Sequence, residues 1–164
     1  MAPASMSWLS TQDLQTFIAT HADSRTKAAF LGVFSIDCLP TPLFLDKQLP
    51  LLLIINTNTH NLPGEHWKAV YVSVDHEGEV FDSLAMPVSI VLQRWMNIAT
   101  WKWLMTPVTI QNPLSPYCGA YVLYFVMSRL RHKSLDACIA RFRNNTVVQN
   151  DVIVKQAFNR KFVN

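Results

Sequence analysis

From Cys118 to Arg131 the chain reads CGAYVLYFVMSRLR, and its first ten positions are all apolar or small. A helix with one apolar stripe can lie on a surface. A helix that is apolar nearly all round belongs in the middle of a domain, covered on every side. The rest of the chain must therefore supply the covering layers. With 164 residues, half of them hydrophobic and 15% charged, it can do so as one domain spanning residues 1–164 with a real core.

The remaining elements follow from periodicity and punctuation. Ser10 can cap a helix running to about His21, with Leu14, Phe17 and Ile18 spaced for one buried face. FLGVFSID from Phe30 predicts a short strand, and CLPTPLF after it, with two prolines, predicts a loop. The unbroken apolar run Leu51 to Ile55 predicts a buried strand, which NTNTHNLPGE ends. HWKAVYVSV from His66 is rich in β-branched and aromatic residues and predicts the next strand. DHEG turns the chain into a shorter strand, EVFDS. Ser89 to Ala99 reads as a helix with Ile90, Leu92, Trp95 and Met96 mostly on one side, and TPVTIQ as a short strand ending at Gln111. Ser134 caps a helix to about Arg143. Thr146 and Gln149 form a capping box for a last helix that closes near Phe158. Helices and strands do not alternate regularly, so the class is α+β.

Several functions are disfavoured. A net charge of +3 without a run of five basic residues gives no dedicated nucleic-acid surface. Three cysteines, Cys38, Cys118 and Cys138, are too few and odd in number for a disulfide framework; reduced thiols in an intracellular protein are expected. MAPASMSWLS lacks the basic start and apolar core of a secretory signal. The longest apolar runs, LPLLLII and YVLYFVM, fall far short of the ~18 residues that span a bilayer, so no membrane partner is expected. NNT at Asn144 to Thr146 fits a glycosylation sequon and is read as chance.

Cys118 stands apart from the other two thiols by position. A lone cysteine before AYVLYFV is ordinarily core, and Cys138, inside LDACIARF, takes that reading, as does Cys38. Cys118, however, sits on the first turn of the central helix, after Pro116. Helix N-termini expose unpaired N–H groups and carry a partial positive charge, which favours a thiolate, the form that attacks. Gly119 removes a side chain that would crowd an incoming backbone. A nucleophile also needs a base and an oxyanion donor. Of the five histidines, His66 opens an apolar strand; on its own it reads as structural. Asp82 closes the next strand and on its own reads as a turn residue. A tight turn at His76 and Glu77 would leave these two roughly 16 Å apart, whereas a looser turn starting near Ser73 would bring them level. Gln111 lies seven residues before Cys118; its amide can donate to an oxyanion, although an ordinary loop glutamine looks the same.

Taken in order, His66, Asp82, Gln111 and Cys118 resemble the clan of cysteine proteases that includes the adenovirus maturation protease and the SUMO-specific, or ubiquitin-like-protein-specific, proteases. EHWKAVYV is similar to the clan's His-Trp strand, and VFDSL to the Asp-Ser-Leu of the SUMO-protease branch. QNPLSPYCGAY resembles the adenoviral Gln-to-Cys-Gly pattern, and FLGVF and IINT resemble the adenoviral N-terminal part. The resemblance runs from about residue 30 to 125. It implies an adenain or ubiquitin-like-protease type fold, with the central helix packed on a mostly antiparallel sheet and flanked by helices.

It also implies roles. Cys118 is the nucleophile, His66 the general base and acid, and Asp82 the acid that orients the ring; Gln111 and the Cys118 backbone N–H form the oxyanion hole. Trp67 and Gly119 border the substrate, although a core tryptophan would look the same. The implied activity is an endopeptidase acting on precursor polypeptides of a virus or virus-like element, cutting after a small residue such as Gly. A monomer working in the host nucleus or the virion is expected. The chain departs from the adenoviral pattern in having Asp82 where that branch has Glu. The adenoviral enzyme is activated by a disulfide-linked peptide and by DNA. Here NIATWKWLMTPVTI, upstream of the Cys-Gly motif, has no cysteine to carry such a peptide, and a charge of +3 gives DNA only weak support. Nothing in the sequence itself requires a cofactor. Rival readings are a deconjugase for ubiquitin-like proteins, a clan-related acyltransferase, a non-catalytic interaction module, and a zinc site on the three cysteines, which lack Cys-x-x-Cys spacing.

Overall fold

The computed structural model describes residues 9–43 and 48–162. Most of MAPASMSWLS, and the Phe44 end of CLPTPLF, lie outside the described residues. In chain order the elements are α1 (Thr11–His21), α2 (Ser24–Ala29), β1 (Phe30–Ser35), β2 (Leu51–Asn56), β3 (Trp67–Val72), β4 (Glu77–Phe81), α3 (Ile90–Ala99), β5 (Lys102–Met105), α4 (Cys118–Arg129), α5 (Leu135–Ile139), a short 3-10 turn (Ala140–Phe142) and α6 (Val147–Phe162).

The five strands form one sheet in sequence order. Its centre, β2 with β3 and β3 with β4, is antiparallel, while the outer pairs β1–β2 and β4–β5 are parallel. The α+β class therefore stands, in a mixed sheet rather than a mostly antiparallel one. β2 explains its own unbroken apolar run, because both faces of the sheet are covered. Leu52 and Ile54 join the core under α4, and Leu51, Leu53 and Ile55 join a second core under α3. Each such side chain contributes about 1.5–3 kcal/mol by leaving water.

Helix α4 is buried as its composition requires. Tyr121, Val122, Phe125 and Val126 are fully covered, Phe125 stacks on Phe81 of β4 at 4.7 Å, and α1, α5 and α6 close round the helix. Among the described residues no helix is long and apolar enough to cross a membrane.

Four element readings change. TPVTIQ is not a strand. Pro107 lacks an N–H, and the Ile110 and Gln111 N–H groups go to the Ser83 carbonyl instead of a ladder. The edge strand is the preceding Lys102–Met105, whose Lys102 and Leu104 face solvent. In α3, Ile90 is exposed and Ala99 takes its place on the buried face. The helix after Ser134 stops at Ile139 and tightens to a 3-10 turn, a common helix ending. The last helix runs on to Phe162 from the expected Thr146–Gln149 box. Helix α2, capped by Asp23 on the Thr26 N–H, is too short to show a period in the sequence.

Candidate active site

The β3–β4 turn decides whether His66 and Asp82 meet. The chain turns between Ser73 and Glu77, with the Ser73 N–H donating to the Glu77 carbonyl and His76 in the left-handed region at φ 59°. This is the looser of the two expected turns. It pairs Ala69 with Phe81, so Lys68 comes opposite Asp82 and His66 lies two residues beyond. Side-chain reach covers that offset: His66 Nε2 is 2.6 Å from Asp82 Oδ1, with both residues buried.

Asp82 is held on all sides. Oδ1 also accepts from the Leu84 N–H at 2.9 Å, and Oδ2 accepts from the Met86 N–H at 3.0 Å and lies 3.0 Å from Lys68 Nζ. Its own N–H donates to Thr106 Oγ1 at 2.9 Å. Burial alone would raise the Asp82 pKa; the His66 hydrogen bond and the charges of His66 and Lys68 outweigh it, and the carboxyl stays below its ordinary range. For His66, burial again opposes the charged form. The hydrogen bond and charge of the Asp82 carboxylate, helped by the neighbouring Cys118, win, and the ring's pKa rises to about 9. With Nε2 engaged by Asp82, the other ring nitrogen, Nδ1, is the one left for the thiol.

Cys118 opens α4, whose N-cap, Tyr117, makes no side-chain capping bond. The sulfur therefore sits where first-turn N–H groups lack side-chain partners. It borders two depressions. One, of about 510 Å³, has His66, Gln111 and Ser115 at its polar end and Ile55, Met86 and Leu92 on its apolar wall. The other, of about 300 Å³, runs past Trp67, Gly64 and Leu9. Cys118 lies where they meet, so an extended chain laid across both would pass over the sulfur.

Gln111 is brought in by Ser83. The Ser83 carbonyl accepts the Ile110 and Gln111 N–H groups, and Ser83 Oγ donates to Gln111 Oε1 at 2.6 Å. From the other side Asn150 Nδ2 donates to the Ile110 carbonyl at 3.0 Å, and Tyr121 OH bridges that carbonyl and Asp151. With Oε1 fixed, Nε2 faces the loop before Cys118, where it donates to the Ser115 carbonyl at 2.8 Å and makes a longer contact, 3.3 Å, with Ser115 Oγ.

Trp67 is almost wholly buried, its indole N–H on the Leu9 carbonyl at 3.1 Å, and it forms a wall of the smaller depression. Gly119 has a different reason from the one expected. A Cβ there would meet the Leu9 side chain at 3.0 Å, so the glycine admits Leu9 rather than a substrate backbone. Cys138 is core as expected, its thiol pKa raised by burial to about 11, but Cys38 is exposed. Among the described residues the group able to share a metal ion is Asp37, Cys38 and His60, with ligand atoms within 4.8 Å of one another; it excludes Cys118 and Cys138.

Sequence reasoning missed Lys68, Ser83, Asn150 and Asp151. Lys68 did leave a signal, as a lone lysine inside the apolar HWKAVYV. The other three show their role only through long-range contacts.

By sequence, no protein-family profile and no curated protein matches the chain. By structure it is similar to the ASFV pS273R protease, at 18% identity and a TM-score of 0.64 over 89% of this chain. It is also similar to the central domain of the uncharacterized Lpg1148 protein from Legionella pneumophila, at 11% identity and 0.54 over 96% of this chain and 99% of that one. A third similar structure is the SUMO protease Ulp1 with its catalytic cysteine oxidized to a sulfinic acid, at 15% identity and 0.50 over 82% of this chain and 74% of that one. The chain spans less than two thirds of the ASFV protease, 65% in this structure and 40% in another. The fold is that of the ubiquitin-like-protease type, and these neighbours include a viral protease and a SUMO protease.

Proposed function

We propose that the protein is a cysteine endopeptidase that cleaves precursor polypeptides of a virus or virus-like element after a small residue such as Gly. The observation that carries this is the buried imidazole of His66, bonded through Nε2 to the Asp82 carboxylate and lining the same open cleft as Cys118 at the head of α4. Cys118 Sγ attacks the scissile carbonyl carbon, and the His66 imidazolium delivers its proton to the leaving amine. The thioester left on Cys118 is hydrolysed by water, which gives its proton to His66 and releases the acid. Asp82 holds the ring and its charge throughout. The tetrahedral oxyanion takes the Cys118 backbone N–H and a Gln111 Nε2 hydrogen, the latter in exchange for the long Ser115 Oγ contact.

The small-residue preference comes from the adenoviral resemblance, and Trp67, Gly64 and Pro116 lining the smaller depression beside Cys118 are compatible with it. The viral branch is favoured by the ASFV protease similarity. A site of action in the host nucleus or the virion is proposed with it on the adenoviral resemblance of the sequence motifs alone. A second reading, deconjugation of ubiquitin-like proteins, is favoured by the Ulp1 similarity and by the acid being Asp82.

The test is incubation of the purified protein, and of Cys118→Ala as control, with the precursor proteins encoded beside it, reading cut sites by mass spectrometry. Cuts after small residues, absent with Cys118→Ala, are expected. Cleavage that survives in Cys118→Ala contradicts the assignment. Labelling of Cys118 by a ubiquitin-like C-terminal probe, without precursor cleavage, transfers it to the second reading.

A further inference from the structure

We propose that Lys68 is a positioning residue which, through one ammonium group, fixes the Asp82 carboxylate toward His66 and pins the Leu84–Pro87 wall of the cleft. This rests on the protease reading and adds to it the device that couples the substrate wall to the catalytic acid.

A lysine is almost never buried without partners, and an unpaired ammonium in a protein interior is costly. Lys68 is 4% exposed in a strand whose neighbours are Trp67, Ala69 and Val70. Its Nζ reaches three oxygens: Asp82 Oδ2 at 3.0 Å, the Met86 carbonyl at 3.2 Å and the Pro87 carbonyl at 3.1 Å. An ammonium has three hydrogens, so the group is fully used.

The same segment returns two N–H groups to the same carboxylate, from Leu84 and Met86. Strand β3, the carboxylate and the 84–87 segment thus close into a ring around Nζ. Within it Ala85 is held at φ 49°, a conformation that a non-glycine residue adopts only when its surroundings impose it. Oδ2 is turned inward to Lys68 and Met86, which leaves Oδ1 facing His66. Leu84, Met86 and Pro87 line the cleft that holds Cys118. Loss of the ammonium should therefore loosen both the acid and the wall.

A merely structural ion pair would change stability alone. A positioning residue also changes the pH window and KM. The charged groups facing Asp82 are His66 and Lys68; those facing His66 are Asp82 and Cys118. In Lys68→Met the carboxyl loses a cation and protonates at higher pH, so the acid limb of activity moves up. The looser carboxylate also holds the imidazolium less well, so the alkaline limb falls below about 9.

The experiment measures kcat and KM on a cleaved peptide across pH for wild type, Lys68→Met and Lys68→Arg, each corrected for its folded fraction. For Lys68→Met the expected result is a drop in kcat of up to ~10²-fold, a rise in KM and a window narrowed on both sides. Lys68→Arg, which keeps the charge, recovers the acid limb. Wild-type kinetics and limbs in folded Lys68→Met, with only its melting point lowered, overturn the proposal. Should Lys68→Met not fold, Lys68→Arg decides alone: its altered reach is expected to raise KM, and a wild-type KM overturns the proposal. The pH profile of Cys118 alkylation is read in parallel. It needs no substrate, so it reports on Lys68 even if no peptide is cut: a profile shifted in the variants supports the coupling, and superimposed profiles overturn it.

Discussion

Strand β4 and the residue that follows it carry two buried acids three residues apart, Glu79 and Asp82, and each is paired with a buried base. Glu79 accepts two hydrogen bonds from Arg129, at 2.5 and 2.8 Å, and a third from the Leu135 N–H, while Arg129 also lies over the Tyr71 ring at 4.0 Å. Asp82 is paired with His66 and Lys68. The cavity bordering Glu79, about 760 Å³, is larger than the cleft of about 510 Å³ at Cys118. Burial, pairing and cavity size therefore do not separate the two ends of α4. The chemistry of the base does. Arg129 keeps its protons and has no lone pair to offer, so its pair can only hold α4 and α5 to the sheet. His66 has a second ring nitrogen on the side of Cys118, and it can take up and give back a proton.

The sharpest way to break this contrast is to remove each end in turn. Cys118→Ala or His66→Ala should abolish peptide cleavage and leave the fold intact, as read by circular dichroism beside a turnover assay. Gln111→Ala should slow turnover ~10²–10³-fold without stopping it, since the Cys118 N–H remains. A complete loss would mean that Gln111 also shapes the loop. At the other end Glu79→Ala strands a buried guanidinium and should cost about 3–5 kcal/mol in denaturant unfolding. Activity per folded molecule should not change, and a fall in kcat there would erase the distinction between the two ends.

The pH dependence sharpens the same comparison. The His66 pKa is raised from 6.5 to about 9, so its contribution to stability is complete below 6.5 and is lost as pH climbs toward 9. Turnover should fall over the upper part of that range, as the imidazolium loses the proton it gives to the leaving group. A profile flat through pH 9 would contradict the pairing. The smallest effects belong to Cys38→Ser and Cys138→Ser, which should keep near-wild-type turnover; Cys138→Ser should lose some stability because its site is buried.

Much of this was legible in the sequence because it rests on local pattern. Helix α4 announces itself by composition, β2 by its unbroken apolar run, α3 by the spacing of its apolar residues, and α1 and α6 by their caps. The order of His66, Asp82, Gln111 and Cys118 was visible too. What local pattern leaves out is long-range partnership. Whether His66 could reach Asp82 depended on where the turn fell, and Ser73 settled it by bonding to Glu77. Gln111 looked like a strand end because the contacts that place it come from Ser83, 28 residues back, and from Asn150 in α6. The partner of Gly119 is Leu9, more than 100 residues away, so its glycine was open to a local explanation. Cys38 was misjudged as core because a proline-rich loop gives no periodicity from which to read exposure.

The central claim is that His66 activates Cys118. The most direct test is the rate of alkylation of each cysteine by iodoacetamide at neutral pH, read peptide by peptide in the same molecule. Accessibility alone favours Cys38, which is exposed, over Cys118, which is 6% exposed. The account predicts the reverse: Cys118 labelled at least ~10-fold faster, with the advantage gone in His66→Ala. Cys118 labelled no faster than Cys38, or a fast rate indifferent to His66→Ala, would contradict it.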